Sequence, residues 1–267
     1  MARPAELEEL PAGLCRSLSH LFLDIDDTIT RDGLLPASSY QAIWDLTRAG
    51  IGVIPVTGRP AGWCDHIARM WPVAAVVGEN GAFSYEYDRD RRRMIRRYHP
   101  AFNATPEGRA RLTAVSQRVL REVPGTALAA DQPFRLSDFA IDFREDVPPL
   151  SDAGIDAICR ILADEGVRYK VSSIHVNFWL GDFDKMSGVR QLLEDKGGFE
   201  EAAPNALFMG DSPNDEPLFA GFPHSIAVGN LRRFLPRIRS LPEFITAAES
   251  ADGFVEAVSY ILERRAP

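Results

Sequence analysis

Short apolar runs that end in polar residues alternate with amphipathic stretches at the start of the chain. The runs predict buried strands, because the strands of a parallel sheet are covered on both faces. Gly50 and Pro60 lie where one helical stretch ends and the next begins. The predicted strands are residues 20–25, 51–56 and 74–77, and the predicted helices are residues 38–49 and 60–70. This alternation predicts a parallel α/β sheet.

The pattern changes after residue 82. Residues 82–87 and 94–98 flank a charged turn, which predicts a pair of antiparallel strands. Further along, the strand–helix–strand rhythm of a parallel sheet is lost. The predicted helices here are residues 105–122 and 151–166, and the predicted strands are residues 139–143 and 174–180. This stretch, residues 83–181, therefore predicts a separate α+β unit.

The alternation of strand and helix returns at Lys185. The predicted elements are a helix over residues 185–196, strands over residues 206–209 and 225–228, and a C-terminal helix from residue 252. The predicted fold class is therefore α/β, with a Rossmann-like parallel-sheet core and an inserted α+β cap domain. The predicted core consists of residues 1–82 and 182–267, and the predicted cap is residues 83–181.

The composition is that of a folded acidic protein. Of 267 residues, 45% are hydrophobic, and 38 acidic against 30 basic side chains give a net charge of -8. An acidic total weighs against binding to nucleic acid or to a membrane, so the arginine-rich stretch 89–97 is predicted to be a solvated hairpin. No apolar run reaches about 20 residues and no signal peptide is evident, so we expect a cytoplasmic protein. Lysine is scarce: only Lys170, Lys185 and Lys196 occur.

Carboxylates follow two of the predicted core strands. Asp24 and Asp26 lie at the C-terminal end of the first strand, and Asp211 and Asp215 follow the strand over residues 206–209. Because the carboxyl ends of parallel strands meet at one edge of a sheet, we expect these side chains to converge. Converging carboxylates repel each other, and oxygen ligands without His or Cys suit a hard cation such as the magnesium ion, Mg²⁺.

Three further positions suit an anion. Thr57 and Gly58 lie where a strand meets a helix N-terminus, and free backbone N–H groups and a hydroxyl bind anions there. Lys185 adds a point positive charge. Carboxylates, Mg²⁺, a lysine and an anion-binding turn together predict a phosphoryl-transfer site.

Four motifs resemble those of the haloacid dehalogenase (HAD) superfamily, in the same order. LFLDIDDTIT resembles the first motif, VIPVTGRP the second, Lys185 the third and FMGDSPNDEPLF the fourth, in its GDxxND form. The insertion, with VVGENGAF at its entrance, resembles the α/β cap of subfamily IIB, which includes many sugar-phosphate phosphatases. The family commonly has Gly after the second aspartate, where this chain has Asp27. Other members carry Asp there, so we expect no loss of activity.

The resemblance implies a role for each matching residue. Asp24 is implied to be the nucleophile that forms an aspartyl-phosphate, and Asp26 the general acid and then the general base. The implied Mg²⁺ ligands are Asp24, Asp26 through its backbone carbonyl, and Asp211, and Asp215 is implied to be a further metal-site residue, either directly or through water. The residues implied to hold the phosphoryl group are Thr57, Gly58 and Lys185, with Asn214 in support.

Five positions are hypothesised to contact the substrate from the cap or its border. His175, Asn177 and Trp179 alternate on the last cap strand and therefore share one face. Asn80 lies in the turn that leads into the cap, and Arg144 lies near the end of another cap strand. For His175, Asn177 and Trp179 a structural role in the cap sheet is the alternative, and for Asn80 a role in a hinge turn.

The sequence thus predicts a Mg²⁺-dependent phosphatase that acts on a small phosphorylated metabolite, such as a sugar phosphate. A phosphomutase of the phosphomannomutase type is the nearest alternative enzyme, although its fourth motif differs. A dehalogenase fits less well, because its chemistry does not use the second aspartate. A phospho-accepting switch or a binding protein is the alternative from another class. Neither the substrate nor the oligomeric state can be inferred from the sequence.

Overall fold

The computed structural model describes residues 3–265, except for the side chain of Arg237. Within that range the strands are β1 Ala5–Glu6, β2 His20–Leu23, β3 Gly52–Pro55, β4 Val76–Gly78, β5 Phe83–Asp88, β6 Arg93–Tyr98, β7 Ala127–Leu128, β8 Phe139–Asp142, β9 Arg168–Val171, β10 His175–Trp179, β11 Ala206–Gly210, β12 Ser225–Ala227 and β13 Phe244–Ile245. The helices are α1 Ala12–Ser17, α2 Ala37–Arg48, α3 Ala61–Met70, α4 Pro106–Glu122, α5 Asp152–Asp164, α6 Lys185–Leu193, α7 Phe199–Ala202, α8 Glu216–Gly221 and α9 Ser250–Arg265.

The central sheet has six parallel strands in the order β1, β13, β12, β11, β2, β3. Its central strands are buried on both faces, so successive residues enter two different hydrophobic clusters. Leu21 and Leu23 pack with Leu46 of α2 and Ile261 of α9, whereas Phe22 packs on the opposite face of the sheet. The predicted parallel α/β core is confirmed.

The edges of this sheet differ from the prediction. The predicted strand at residues 74–77 is found as β4, but it meets the central sheet only through a single parallel bridge between Val56 and Val77. Otherwise β4 pairs antiparallel with β5, which pairs antiparallel with β6. Strands β1 and β13 were not predicted, because a two-residue strand is too short to show a period.

A second antiparallel sheet, in the order β7, β8, β10, β9, forms the inserted cap with α4 and α5. Phe139 and Ile141 of β8 and Val176 and Phe178 of β10 pack in the hydrophobic cluster that contains the inner residues of both helices. Because side chains alternate along a strand, His175 and Asn177 lie on the other face of the sheet. The predicted α+β character of the insertion is confirmed.

The border between core and cap is gradual. Phe83 and Tyr85 of β5 stack with ring centroids 4.5 Å apart and belong to the hydrophobic cluster that contains Leu21. This sheet, β4 to β6, is separate from the cap sheet. The division at residues 82 and 181 stays a prediction. Over residues 3–265, no helix has both the length and the apolar character needed to cross a membrane.

Candidate active site

Three buried carboxylates meet at the carboxyl ends of β2 and β11. One oxygen from each of Asp24, Asp211 and Asp215 lies within 4.8 Å of the other two. The backbone N–H of Asp24 donates to the carbonyl of Met209 at 2.9 Å, which continues the pairing of β2 with β11 by one residue. The sheet itself therefore fixes where the Asp24 carboxylate lies, and the expected convergence of the two strand ends is observed.

Lys185 lies inside this acidic cluster. Its Nζ donates to Oδ1 of Asp24 at 2.8 Å and to Oδ1 of Asp215 at 2.7 Å. Lys185 is the first residue of α6, and Asp184 caps that helix by accepting from the backbone N–H of Ser187. Burial opposes the charge of Lys185, but the two carboxylates outweigh it and hold the pKa of the ammonium above its usual range.

The negative charges are only partly compensated. Burial raises the pKa of Asp24 to about 7; Lys185 opposes this rise, while Asp215 and Asp26 add to it. Burial, with repulsion from Asp215 and Asp24, also raises the pKa of Asp211 well above its usual range. A group of buried carboxylates that share one ammonium attracts a further cation.

The loop over residues 210–215 is folded around Asp215. Oδ2 of Asp215 accepts from the backbone N–H groups of Asp211 and Ser212, at 3.1 and 3.4 Å. A Cβ atom at Gly210 would lie 2.4 Å from this Oδ2, so the loop requires glycine at that position. Oδ1 of Asn214 accepts from the Ser212 hydroxyl at 2.6 Å. These contacts explain why the GDSPND segment places its acidic groups inward.

The donor set of this cluster suits a hard divalent cation. Asp24, Asp211 and Asp215 offer carboxylate oxygens, and no His or Cys belongs to the group. Asp211 is oriented by Thr28, whose hydroxyl donates to Oδ1, and by Asn230, whose amide donates to Oδ2 at 3.2 Å. The residues present therefore fit a magnesium ion at this position. The carboxylate of Asp26 does not belong to the cluster.

Asp26 instead forms an ion pair with Arg59. Nε and Nη2 of Arg59 donate to the two Asp26 oxygens at distances of 2.8 to 3.1 Å. Arg59 directly follows Thr57 and Gly58 in the turn after β3, and its backbone N–H donates to the Thr57 hydroxyl at 3.0 Å. A Cβ atom at Gly58 would lie 3.3 Å from the Asn80 amide, so the turn approaches the start of the cap closely.

A cleft between core and cap opens above Asp24. The predicted site residues that line it are Asp24, Asp26, Gly58, Asn80, His175, Asn177, Asp211 and Asn214. Thr57, Lys185 and Asp215 are buried and do not line it. Trp179 does not line it either, since its ring stacks on Phe183 in the hydrophobic core. Arg144 also lies outside the cleft and faces a wider neighbouring groove.

Asp138 joins the two sides of this cleft. Its Oδ2 accepts from the amide groups of Asn177 at 3.0 Å and Asn80 at 3.4 Å, and Arg135 donates to both of its oxygens. Burial raises the pKa of Asp138 to about 7 although Arg135 opposes the rise. Asn80 and Asn177 thus share one carboxylate partner, which places both amide groups at the cleft wall.

Several residues of the site were not singled out from the sequence. Two classes are involved: arginines with their acidic partners, and polar residues on or after β9. They are Arg59, Arg135, Asp138, Glu145, Lys170, Ser172 and Ser173. Lys170 lies opposite Asn177 in the β9–β10 pairing, so the two side chains share a face. The scarcity of lysine was the signal that could have identified Lys170.

No model of a protein family matches the sequence, and no curated protein matches it significantly. Solved structures do resemble the fold. The C-terminal domain of trehalose-6-phosphate phosphatase from C. albicans has a TM-score of 0.74 at 14% identity, covering 98% of both chains. Sucrose-phosphatase from Synechocystis, in complex with sucrose and phosphate, has a TM-score of 0.60 at 16% identity, covering 92% of this chain and 98% of that one.

A third similar structure is a phosphatase of the HAD superfamily from Bacteroides thetaiotaomicron. Its TM-score is 0.61 at 18% identity, with 94% of this chain and 97% of that chain covered. At such low identities, the likeness concerns the fold. The agreement extends over core and cap together, because nearly all of each chain is covered. The chain therefore has the fold of the haloacid dehalogenase superfamily hydrolases, with their parallel core and an inserted cap.

Proposed function

We propose that this protein is a Mg²⁺-dependent phosphatase that hydrolyses a small phosphomonoester through an aspartyl-phosphate on Asp24. The observation that carries the proposal is the position of Asp24. Asp24 lines the cleft, and Lys185 and two further carboxylates, those of Asp211 and Asp215, lie beside it. Asp24 thus faces the cleft, and its neighbours supply the charges that a transferring phosphoryl group requires.

The chemistry assigned to the chain has two steps. In the first, a carboxylate oxygen of Asp24 forms a bond to phosphorus, the bond from phosphorus to the alcohol oxygen breaks, and Asp26, in its protonated carboxylic acid form, gives that oxygen its proton and becomes a carboxylate. In the second, Asp26 takes a proton from water as the water oxygen attacks phosphorus, and phosphate leaves Asp24. The side chain of Asp26 lines the cleft, which supports this assignment.

Four residues are proposed to hold Mg²⁺. They are Asp24, Asp211 and Asp215 through their carboxylates, and Asp26 through its backbone carbonyl. When bound, the ion neutralises the carboxylates and the charge of the phosphoryl group. Lys185 is proposed to neutralise the same charges, since its ammonium contacts Asp24. Thr57 and Gly58 are proposed to bind the phosphoryl oxygens, with Asn214 supporting the loop.

A phosphorylated sugar is the proposed substrate class. The cap wall of the cleft carries hydroxyl, amide, imidazole and ammonium groups, which suit the hydroxyls of a sugar better than an apolar leaving group. The fold is similar to that of phosphatases named for sucrose and for trehalose-6-phosphate. Of the residues hypothesised to contact substrate, we retain Asn80, His175 and Asn177, because these line the cleft.

The test is a screen of phosphomonoesters with the purified protein. Sugar phosphates, polyol phosphates and nucleotides are incubated with Mg²⁺ or with a chelator, and free phosphate is measured. We expect turnover of at least one sugar phosphate that stops with the chelator and returns with added Mg²⁺. Absence of phosphate release from every compound contradicts the proposal. Incorporation of a single phosphate without turnover indicates a phospho-accepting switch, and transfer to a second sugar hydroxyl indicates a phosphomutase.

A further inference from the structure

The guanidinium of Arg59 connects the core to the cap. It holds both oxygens of Asp26, and its Nη2 also donates to Oε1 of Glu145 at 2.9 Å. Arg59 is 4% exposed and lies over the ring of Trp63, 4.5 Å from the centroid. A buried and stacked guanidinium has few alternative orientations, and its donor directions are fixed by its plane. Its alignment is therefore set by three carboxylates: Asp26 and Glu145 accept hydrogen bonds from it, and Oδ2 of Asp131 lies 3.8 Å from its Nη1.

Glu145 lies in a cap loop whose backbone is anchored by hydrogen bonds. It follows β8 in a loop that is anchored by Asp142, whose carboxylate accepts from the backbone N–H groups of residues 144, 145 and 146 at 2.8 Å each. Nε2 of His175 lies 3.0 Å from Oε2 of Glu145, although the two are not aligned as a hydrogen bond. The backbone of Glu145 is thus anchored beside β8, and among the described residues Arg59 is the core residue that its carboxylate contacts.

These contacts form a continuous line from the cap to the predicted acid–base residue. Nη2 of Arg59 donates to Glu145, and Nε and Nη2 donate to Asp26. The Asp26 side chain is 22% exposed at the cleft, so packing alone does not fix it, and the ion pair does. Glu145 and Asp131 are the acidic partners of Arg59 in the cap, so the guanidinium keeps Asp26 and the Trp63 ring as its partners in the core when those two contacts are absent.

We infer that Glu145 is a positioning residue, which aligns Asp26 through Arg59 when the cap meets the core. The inference rests on the proposed phosphatase function. Proton donation from Asp26 is then coupled to cap closure, so a substrate enclosed by the cap receives its proton while an open site does not. The simpler alternative is that Glu145 only fastens the cap to the core. In that case its removal affects every substrate equally.

The experiment compares two substrates with the Glu145→Ala variant. A sugar phosphate releases an alkoxide, which needs a proton from Asp26, whereas p-nitrophenyl phosphate releases a stable phenolate that does not. We expect kcat/KM for the sugar phosphate to fall about tenfold or more, and that for p-nitrophenyl phosphate to stay within about twofold. Glu145→Gln keeps the side-chain volume and serves as the second variant if the alanine variant folds poorly.

Asp146→Ala is the matched control. Asp146 is the next residue in the same exposed loop, and among the described residues its carboxylate forms no ion pair or hydrogen bond. The Asp146→Ala variant should have the same kcat/KM as the parent protein for both substrates. Equal losses on both substrates with Glu145→Ala, or no loss on either, overturn the inference. Inactivity of the parent protein on both substrates instead contradicts the proposed function, so the two failures are distinguishable.

A double substitution tests the route through Asp26. If Glu145 acts by orienting Asp26, adding Glu145→Ala to an Asp26→Asn variant removes nothing further, because the group that it positions no longer transfers a proton. We expect the double variant to match Asp26→Asn within about twofold on the sugar phosphate. A further tenfold loss in the double variant contradicts a route through Asp26.

Discussion

Nζ of Lys185 lies 2.8 Å from Oδ1 of Asp24, although 161 residues separate them in the chain. The contact joins the start of α6, which directly follows the cap, to the end of β2 at the centre of the core sheet. It also places the cationic group beside the carboxylate that is proposed to attack phosphorus. The chain that leaves the insertion is thereby tied to the site at the end of β2.

Replacing Lys185 tests how far the acidic cluster depends on this one cation. In a Lys185→Met variant, Asp24 and Asp215 stay buried without their partner, which is costly in a low-dielectric site. We expect the metal-free protein to lose about 3 kcal/mol or more in its free energy of unfolding. Phosphate release should fall about a hundredfold or more. Urea denaturation and a phosphate assay measure these two effects.

Lys196→Met is the control for that experiment. The Lys196 side chain is 41% exposed and pairs with Glu86 at 3.1 Å, so its loss should change the free energy of unfolding by less than about 1 kcal/mol. If Lys185→Met is as stable as this control, Lys185 does not compensate the buried carboxylates.

Stability should depend on pH in a direction that the raised pKa values determine. The pKa of Asp24 and that of Asp138 are each raised from 3.8 to about 7, so between these values the folded protein keeps protons that the unfolded chain has released. The free energy of unfolding of the metal-free protein should therefore fall as the pH rises from about 4 to about 7. Urea denaturation across this range measures the slope.

Two comparisons separate the contributions to that slope. Asp138→Asn should flatten it, because an amide does not titrate. Added Mg²⁺ should raise the melting temperature more at about pH 7.5 than at about pH 5, since protons compete for the carboxylates at the lower pH. A metal-free protein whose stability is constant, or rises, between about pH 4 and pH 7 contradicts the assignment of raised pKa values.

A buried glutamate fastens the cap loop to the core. The carboxylate of Glu79 accepts from the backbone N–H groups of Ala61, Leu136, Ser137 and Asp138, at distances between 2.7 and 3.2 Å. It also accepts from the Ser137 hydroxyl at 2.9 Å, and Glu79 itself is fully buried. A carboxylate has acceptor capacity only, which is why it fits a pocket of donors.

Glu79→Gln should consequently be destabilising. The glutamine amide brings an NH2 group against backbone donors, which leaves buried polar groups unpaired. We expect a loss of about 2 to 4 kcal/mol in the free energy of unfolding. Glu107→Gln, at an exposed position in the first turn of α4, is the matched control and should be close to neutral. If Glu79→Gln is as stable as that control, the backbone N–H groups around Glu79 do not depend on its carboxylate, which contradicts the prediction.

The sequence was sufficient for features that depend on local pattern. The apolar runs before Asp24 and Asp211 predicted the two strands whose ends bring those carboxylates together, and the structure places both residues in one cluster. The roles assigned to them, nucleophile for Asp24 and metal ligand for both, stay predictions. Helix α6 was equally readable, since Lys185 begins an amphipathic stretch after a capping Asp184.

Contacts between core and cap could not be predicted in the same way. Arg59 and Glu145 form an ion pair although they are 86 positions apart in the sequence. The pair depends on how the cap packs against the core, and the local pattern of apolar and polar residues contains no information about that packing. Alternation along β10 predicts that Trp179 lies on the same face as His175 and Asn177. Trp179 is the last residue of the strand, however, and its ring stacks on Phe183 instead of lining the cleft. Strand β9 was missed because RYKV mixes charged and apolar residues.

The most direct test of the account is phosphate release by Asp24→Asn compared with Asp27→Asn. Both substitutions remove one carboxylate from the same turn, and asparagine tolerates the positive φ of 56° at position 27. With Mg²⁺ and a phosphomonoester that the parent hydrolyses, Asp24→Asn should lose about a thousandfold or more in kcat, while Asp27→Asn stays within about threefold of the parent. Folded Asp24→Asn protein that still turns over substrate at the parental rate would contradict the assignment of Asp24 as the nucleophile.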